Sequence, residues 1–442
     1  CRDARCGDGF VWSGHEACDD RNRTAGDGCS ASCRPEPVDV RTGITTCALS
    51  SIGDVKCWGY GAFGILGQGD DENRGDNPGE MGAALRSVPL GTGRRAVAIA
   101  NPTNHECALL DDGTIKCWGY NEQGQLGLGD TENRGDQPGE LGDALPAVDL
   151  GTGRTALAVS ITGRSTCALL DDHSVKCWGS PEGGRLGLGA GIVESRGDEP
   201  GELGDALPAI DFGTDHPVVA IDDRCALFDD GAVKCWGYNT LGSLGLGDEE
   251  DRGDDPGEMG EALPFLDFGL GARVRALGNG CALLSDGSVK CWGFNRYGEC
   301  GLGDTEDRGD EPNEMGDALP VVDLGAGARV AAVDDGCVLF ENGSVKCWGI
   351  NDEGELGLGD REHRGDEPGE MGSALPALDV GTERRAKTVP RSGYTRCVVL
   401  DDGTVKCWGR NDQGELGLGD KKWRGDEPGE MGDALPSVDI GF

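Results

Sequence analysis

Apolar residues in this chain come in short runs, and a glycine, aspartate or proline closes each run before it reaches the length of a helix. In one stretch ALPAVDLG (144–151), TALAVSI (155–161), CALL (167–170) and VKCWG (175–179) follow one another, the last two flanking a turn at Asp171, Asp172 and His173. Runs of this length, rich in Val, Leu, Ile and Trp and punctuated in this way, predict β-strands. The order then repeats. Its Trp stands at Trp58, Trp118, Trp178, Trp236, Trp292, Trp348 and Trp408, so seven copies fill the chain from about residue 38 to its end.

Four short strands per unit, seven times over, is the arithmetic of an all-β propeller. A solenoid is the rival, and the chain ends argue against it. The first unit runs almost directly into its Cys47 strand and lacks the leading PAVDLGTGRTA-like element. The last unit finishes with ALPSVDIGF (434–442), the element the first is missing. A C-terminal strand that completes the first sheet closes a ring and removes exposed edges, whereas a solenoid needs polar caps at both ends. The expectation is a seven-bladed propeller over 38–442, closed by that strand, with a small cysteine-rich module over 1–37 in front.

Every unit carries two cysteines ten positions apart: Cys47 and Cys57, Cys107 and Cys117, Cys167 and Cys177, Cys225 and Cys235, Cys281 and Cys291, Cys337 and Cys347, Cys397 and Cys407. A three-residue hairpin loop such as Asp111-Asp112-Gly113, with glycine in the left-handed region, sets Leu110 opposite Thr114 and hence Cys107 opposite Cys117. Counted outward, this is a non-hydrogen-bonded pair with Cα atoms about 4.5 Å apart, a separation that a disulfide tolerates. Seven cross-strand disulfides follow. In the third unit His173 stands where glycine is expected.

Composition sharpens the picture. Gly is 79 of 442 residues, which suits turns better than helices. Lys and Arg total 40 against 80 Asp and Glu, a net charge of −40. Such a surface counts against nucleic acid, whose phosphates need a basic face, and against anionic membranes. No apolar run approaches the roughly 18 residues of a membrane span. Twenty cysteines read as disulfides point to an oxidising compartment, so the protein is expected to be secreted or at the cell surface.

The segment CALLDDGTIKCWGYNEQGQLGLGD, starting at Cys107, resembles the repeat of the regulator of chromosome condensation superfamily. The resemblance covers about nine-tenths of the chain and implies seven-bladed propellers closed by a strand from the opposite terminus. Eukaryotic members act as nucleotide exchange factors for a small GTPase and bind chromatin. That work needs a basic surface and a specialised insertion, and this chain has neither. Other members are secreted bacterial proteins, among them an inhibitor that covers β-lactamases with one propeller face. Ahead of the repeats, CGDGFVWSGHEACDDRNRTAGDGCSASC resembles a cysteine-rich repeat of secreted myxobacterial proteins. Cys6, Cys18, Cys29 and Cys33 match it, and Arg21 stands where that pattern has Gly. Cys1 and Cys300 remain over. A bridge between them tying module to propeller is one reading, and Cys300 as a small buried hydrophobe in a slot that is otherwise Leu is the other.

The loops after each Gly-Leu-Gly concentrate carboxylates, and an Arg-Gly-Asp triplet recurs in all seven, at Arg74, Arg134, Arg196, Arg252, Arg308, Arg364 and Arg424. A triplet in every repeat is read as architecture, its Arg pairing with nearby carboxylates. Clustered Asp on glycine-rich turns is also a candidate for calcium, both in these loops and in the module at Asp19, Asp20 and Asp27. Catalysis has little support: the five histidines occupy unrelated repeat positions, and no nucleophile–base motif is present. The leading expectation is a non-catalytic binding or adhesion scaffold for a protein or surface glycan. A self-associating subunit of an extracellular filament or coat, and an inhibitor of or enzyme acting on an extracellular partner, remain as alternatives.

Non-reducing peptide mapping is expected to join Cys107 to Cys117 and the equivalent pair in every unit; free thiols at these positions overturn the assignment. Replacing Cys225 and Cys235 together by Ala is expected to cost roughly 2–3 kcal/mol in denaturant unfolding.

Overall fold

The cysteine hairpin is the seed of each unit. In the second, Leu110 N donates to Thr114 O at 2.8 Å and Gly113 N to Leu110 O at 2.9 Å, with Gly113 at φ +78°. Asp112 Oδ1 accepts from both the amide and the hydroxyl of Thr114, which fixes the turn. His173 takes the same left-handed place in the third unit at φ +67°, where its Nδ1 lies 2.9 Å from Val218 O. The closed turn sets the register, Leu109 opposite Ile115 and Cys107 opposite Cys117. All seven pairs are joined, each with Cα atoms 4.1 Å apart.

The computed structural model describes residues 18–19, 24–30, 33–100, 103–189, 191, 193–391 and 393–442. Among them lie seven small antiparallel sheets, six of three strands and one of two. The first comprises Pro37–Thr42, Thr45–Ser50 and Val55–Gly59. The seventh comprises Thr395–Val399 and Val405–Gly409, with a single bridge from Ala386 to Leu400 where the other sheets have an inner strand. Single-turn 3-10 segments are the helical content of the described residues, and none of their helices is long and apolar enough to cross a membrane.

The fourth strand expected in each unit does not form a ladder. Segment 144–151 buries Leu145, Val148 and Leu150 and makes a main-chain bond from Val148 N to Ile115 O at 2.9 Å. Pro146 has no N–H to give, and Ala147 and Asp149 face solvent, so one anchoring bond replaces a strand. The segment thus lies outside the Trp strand of its own unit. This corrects the expected mode of closure. The C-terminal segment 434–442 bonds through Val438 N to Val405 O of the seventh sheet, and the first sheet has its own outer segment through Val88 N to Val55 O.

What links last to first is the contact that links every neighbour. Each repeat Trp is buried and donates its indole N–H to a carbonyl of the preceding unit: Trp118 to Ile65, Trp178 to Gln125, Trp236 to Arg185, Trp292 to Ser243, Trp348 to Glu299 and Trp408 to Glu355, at 2.8–3.2 Å. Trp58 of the first unit donates to Glu415 O of the last at 2.9 Å. Gly82 N to Asp439 O repeats the bond that Gly204 N makes to Asp149 O between the second and third units. The buried Lys56 ammonium adds bonds to Ile440 O and Gly441 O. Glycine is required beneath the indole in six of the seven contacts: a Cβ on Gly417, at φ +66°, would stand 2.8 Å from Trp58 Nε1, whereas one on Gly67, beside Trp118, would meet Val88 first.

In the N-terminal module Cys18 is bonded to Cys29, and Cys33 is also disulfide-bonded; Cys1, Cys6 and Asp20 lie outside the described residues. The bridge from Cys300 to Cys1 is not formed. Cys300 is a free, buried thiol in the leucine slot of its unit, packed with Trp348 in the core between neighbouring sheets.

Trp58→Phe tests the seam between last and first units against Trp178→Phe at an interior one. In both, the acceptor carbonyl keeps a second donor, Thr46 Oγ1 or Thr166 Oγ1, so each loss is expected to be the hydrogen bond plus the gap left by the smaller ring, roughly 2–3 kcal/mol. Equal losses in urea unfolding support a cyclic contact chain; a silent Trp58→Phe contradicts it.

Candidate binding face

The strand that ends in Trp-Gly delivers the next residue to the same end of every sheet. That position holds Tyr60, Tyr120, Ser180, Tyr238, Phe294, Ile350 and Arg410. Gly59, at φ +100°, makes the turn possible, and its reciprocal main-chain bonds with Arg74 hold the following loop. Asn121, fully buried, then shapes that loop, accepting from Leu126 N and donating to Asp130 O and Glu132 O. All five tyrosines of the chain stand at this end, because Tyr297 and Tyr394 lie in the loops beside it. Phe63 packs on Tyr120 with ring centroids 4.9 Å apart, and Tyr297 on Phe294 at 6.0 Å. Guanidinium groups lie against the rings: Arg185 is 4.7 Å from the Tyr238 centroid and Arg164 5.6 Å from Tyr120. Phe294 is 38% and Tyr394 51% exposed.

Behind this layer sit Glu299, Glu355 and Glu415, pushed above the usual carboxylate range by burial. Each accepts a backbone N–H two residues earlier at 2.8 Å, so they brace the loops that carry the aromatic face.

The opposite end of the sheets is acidic. Arg94 reaches Asp111 and Asp112 of the hairpin turn at 3.2 and 3.0 Å, and Arg154 and Arg384 repeat the pairing. His216 takes that place in the fourth unit, 3.0 Å from Asp229, which with the other nearby aspartates raises its pKa. His216, Asp229 and Asp230 form the grouping of three metal-ligating side chains found among the described residues. The calcium expectation at Asp19 and Asp27 gains no such grouping there. In the outer loops one set of carboxylates is engaged in ion pairs, while Asp136, Asp198, Asp254 and Asp310 of the triplets each bury an Oδ1 that has no hydrogen-bond partner. Arg134 Nη2 pairs with Asp130 at 2.6 Å, and five other units repeat this pair. The third differs because Ala190 stands in the Asp place, and Arg196 turns to Glu202 at 3.5 Å. Glu140 Oε2 accepts from Gly135 N and Gln137 N, so the triplet is a turn clamp in this fold.

The model of the regulator of chromosome condensation (RCC1) repeat matches residues 103–125 and 278–299. The yeast RCC1 protein Prp20, solved bound to Kap60, superimposes with a TM-score of 0.60 at 17% identity, over 90% of this chain and 85% of that one. This is an RCC1-like repeat protein with the fold of the RCC1 β-propellers. The ultraviolet-B receptor UVR8 of Arabidopsis thaliana is 29% identical over 327 residues, 72% of this chain and 66% of the receptor. The human E3 ubiquitin-protein ligase HERC2 is 28% identical over 387 residues, 85% of this chain; the RCC1-like chain spans 7% of the ligase.

The innermost strands of the RCC1-like sheets line a cavity of about 530 Å³ that holds Arg41, Asp222, Asp334 and Arg391. Arg391 pairs with Asp334 at 2.5 Å. Asp222 is left facing Asp334 and Asp223; loss of water and these like charges push it up to about 8, with Arg391 and Arg41 offsetting only part. The fully buried His105 of the second unit is held neutral, its pKa lowered to about 3 by burial, with Nε2 2.7 Å from Thr166 Oγ1. It is a packed core side chain and faces no carboxylate partner of the kind a general base needs.

The unfolded chain loses the Asp222 proton near pH 3.9, about four units below the folded chain. Between those values the folded form holds a proton the unfolded form has released, so stability falls as the pH rises through that window. Asp222→Asn is expected to raise the thermal midpoint above pH 6, to leave it nearly unchanged below pH 4, and to flatten the slope between. An unchanged slope contradicts the assignment.

Proposed function

We propose that the chain is a non-catalytic binding scaffold: a closed seven-bladed propeller, secreted or displayed at the cell surface, that receives a protein partner on its tyrosine-rich face. The observation that carries this reading is the gathering of all five tyrosines, with Phe63 and Phe294, at one end of the sheets. Aromatic rings and arginines dominate the energetics of protein interfaces, the rings because they bury large areas at little conformational cost and arginine because it offers several donors on a planar head. Closure is supported by the cyclic run of indole bonds, including Trp58 to Glu415. Seven hairpin disulfides support an oxidising compartment. RCC1-like relatives are in the main binding or regulatory proteins, and yeast RCC1 was solved bound to the protein Kap60.

Immobilised protein is expected to retain a partner from extracellular fractions of its source cells. The double variant Phe294→Ala with Tyr297→Ala should lose that partner about tenfold or more. Asp111→Ala with Asp112→Ala, at the opposite end, should keep it. Equal retention by all three proteins, or cleavage of the captured material, overturns the reading.

A further inference from the structure

In the turn before the cysteine strand, the tyrosine-rich face changes character at the seam between the last and first units. Where the second and third units put Asn104 and Arg164 in the turn before the cysteine strand, the seventh and first put Tyr394 and Ile44. These two are consecutive around the cycle of Trp contacts and both exposed, Ile44 by 40%. Beneath them, between the last and first sheets, lies a cavity of about 480 Å³ whose lining includes Thr42, Ile44, Tyr60, Tyr394, Arg410 and Gln413. This volume falls within the range of small-ligand sites.

One buried polar group in that lining is unsatisfied. Thr42 is 2% exposed, and its Oγ1 has no hydrogen-bond partner. The equivalent Thr162 of the third unit gives its hydroxyl to Asp223 of the next unit at 2.7 Å, whereas neighbouring Thr45 and Thr46 spend theirs on Trp58 O and Glu415 O. A buried hydroxyl left unpaired costs free energy that a ligand's polar atom recovers. Of the charged groups around the cavity, Arg410 Nε bonds Asp412 at 2.8 Å, and Glu415, its pKa raised by burial, accepts from Gln413 N. The guanidinium of Arg410 also lies 5.8 Å from the Tyr394 ring centroid. A largely apolar, ring-walled cavity with one waiting hydroxyl suits a flat neutral ring with a polar tip.

We propose that this seam cavity receives one aromatic side chain with a polar tip, a tyrosine or a tryptophan, presented by the partner protein. The assignment rests on the binding-face reading and names what that face grips.

Saturation-transfer NMR with N-acetyl-tyrosinamide and N-acetyl-tryptophanamide tests it on the intact chain, with N-acetyl-leucinamide and methyl glucoside as controls. Ring protons of the two aromatic amides are expected to be saturated, and the controls are not. Ile44→Arg, which restores the Arg164 pattern at an exposed site, should abolish the effect without changing the thermal midpoint. Thr42→Val should weaken N-acetyl-tyrosinamide by about 2- to 10-fold and leave N-acetyl-phenylalaninamide unaffected. Equal saturation by the controls, or an Ile44→Arg protein that binds like wild type, overturns the proposal. If the Phe294 and Tyr297 variant loses partner capture while Ile44→Arg retains it, the binding face stands and the seam anchor falls; if neither variant matters, both fall.

Discussion

An indole N–H that finds its acceptor in the neighbouring unit is the contact on which the rest of this molecule depends. A three-stranded sheet of three- to seven-residue strands cannot bury its own faces, so each must lean on the next. The repeat Trp does this with one side chain. It fills the core between sheets and satisfies its N–H on the preceding loop, as Trp178 does on Gln125 O. Burial of so large a ring leaves no room for a Cβ beneath it, which is why the loop must carry glycine at the place of Gly127 and Gly417.

The disulfides and the outer loops serve that contact from either side. Cys107 and Cys117 lock the hairpin whose second strand carries Trp118, so the indole cannot slide out of register. Asn121 and Asn239 hold the loop after the Trp-Gly step, and the Arg–Asp clamp between Arg134 and Asp130 closes it. Part of the high negative charge is held in these loop clamps, and part lies in the hairpin turns at the end of the sheets opposite the aromatic rings.

A repetitive scaffold makes its exceptions informative. Ala190 in an Asp place redirects one arginine to Glu202, and His216 in an Arg place keeps its ion pair at another hairpin. Both preserve the local architecture. Ile44 and Tyr394 do not, since they put exposed apolar surface over a cavity where the pattern elsewhere is polar. Departures that cost solvation without repairing a contact are what single out the seam for the proposed grip on a partner.

Local patterns in the sequence determined the seven units, the strand pairs and the cysteine register, because a hairpin's pairing follows from its turn length and from nothing distant. The clamp role of the Arg-Gly-Asp triplets was legible in their recurrence. Tyr60, Tyr120 and Tyr238 directly follow the Trp-Gly step in the sequence, yet the face they share with Tyr297 and Tyr394 emerges only when the strand ends are placed side by side. Tertiary structure alone decided how the ends meet. Segment 434–442 resembles a missing strand of the first unit, but Pro436 and its exposed neighbours leave it one main-chain bond to a neighbouring strand, from Val438 N to Val405 O of the seventh sheet, while Asp439 O accepts from Gly82 N of the first unit. It likewise decided the fate of Cys300, buried against Trp348, and the charge state of Asp222, whose first like-charged neighbour, Asp334, comes from another sheet. Such contacts join residues tens to hundreds of positions apart, and no local pattern encodes them.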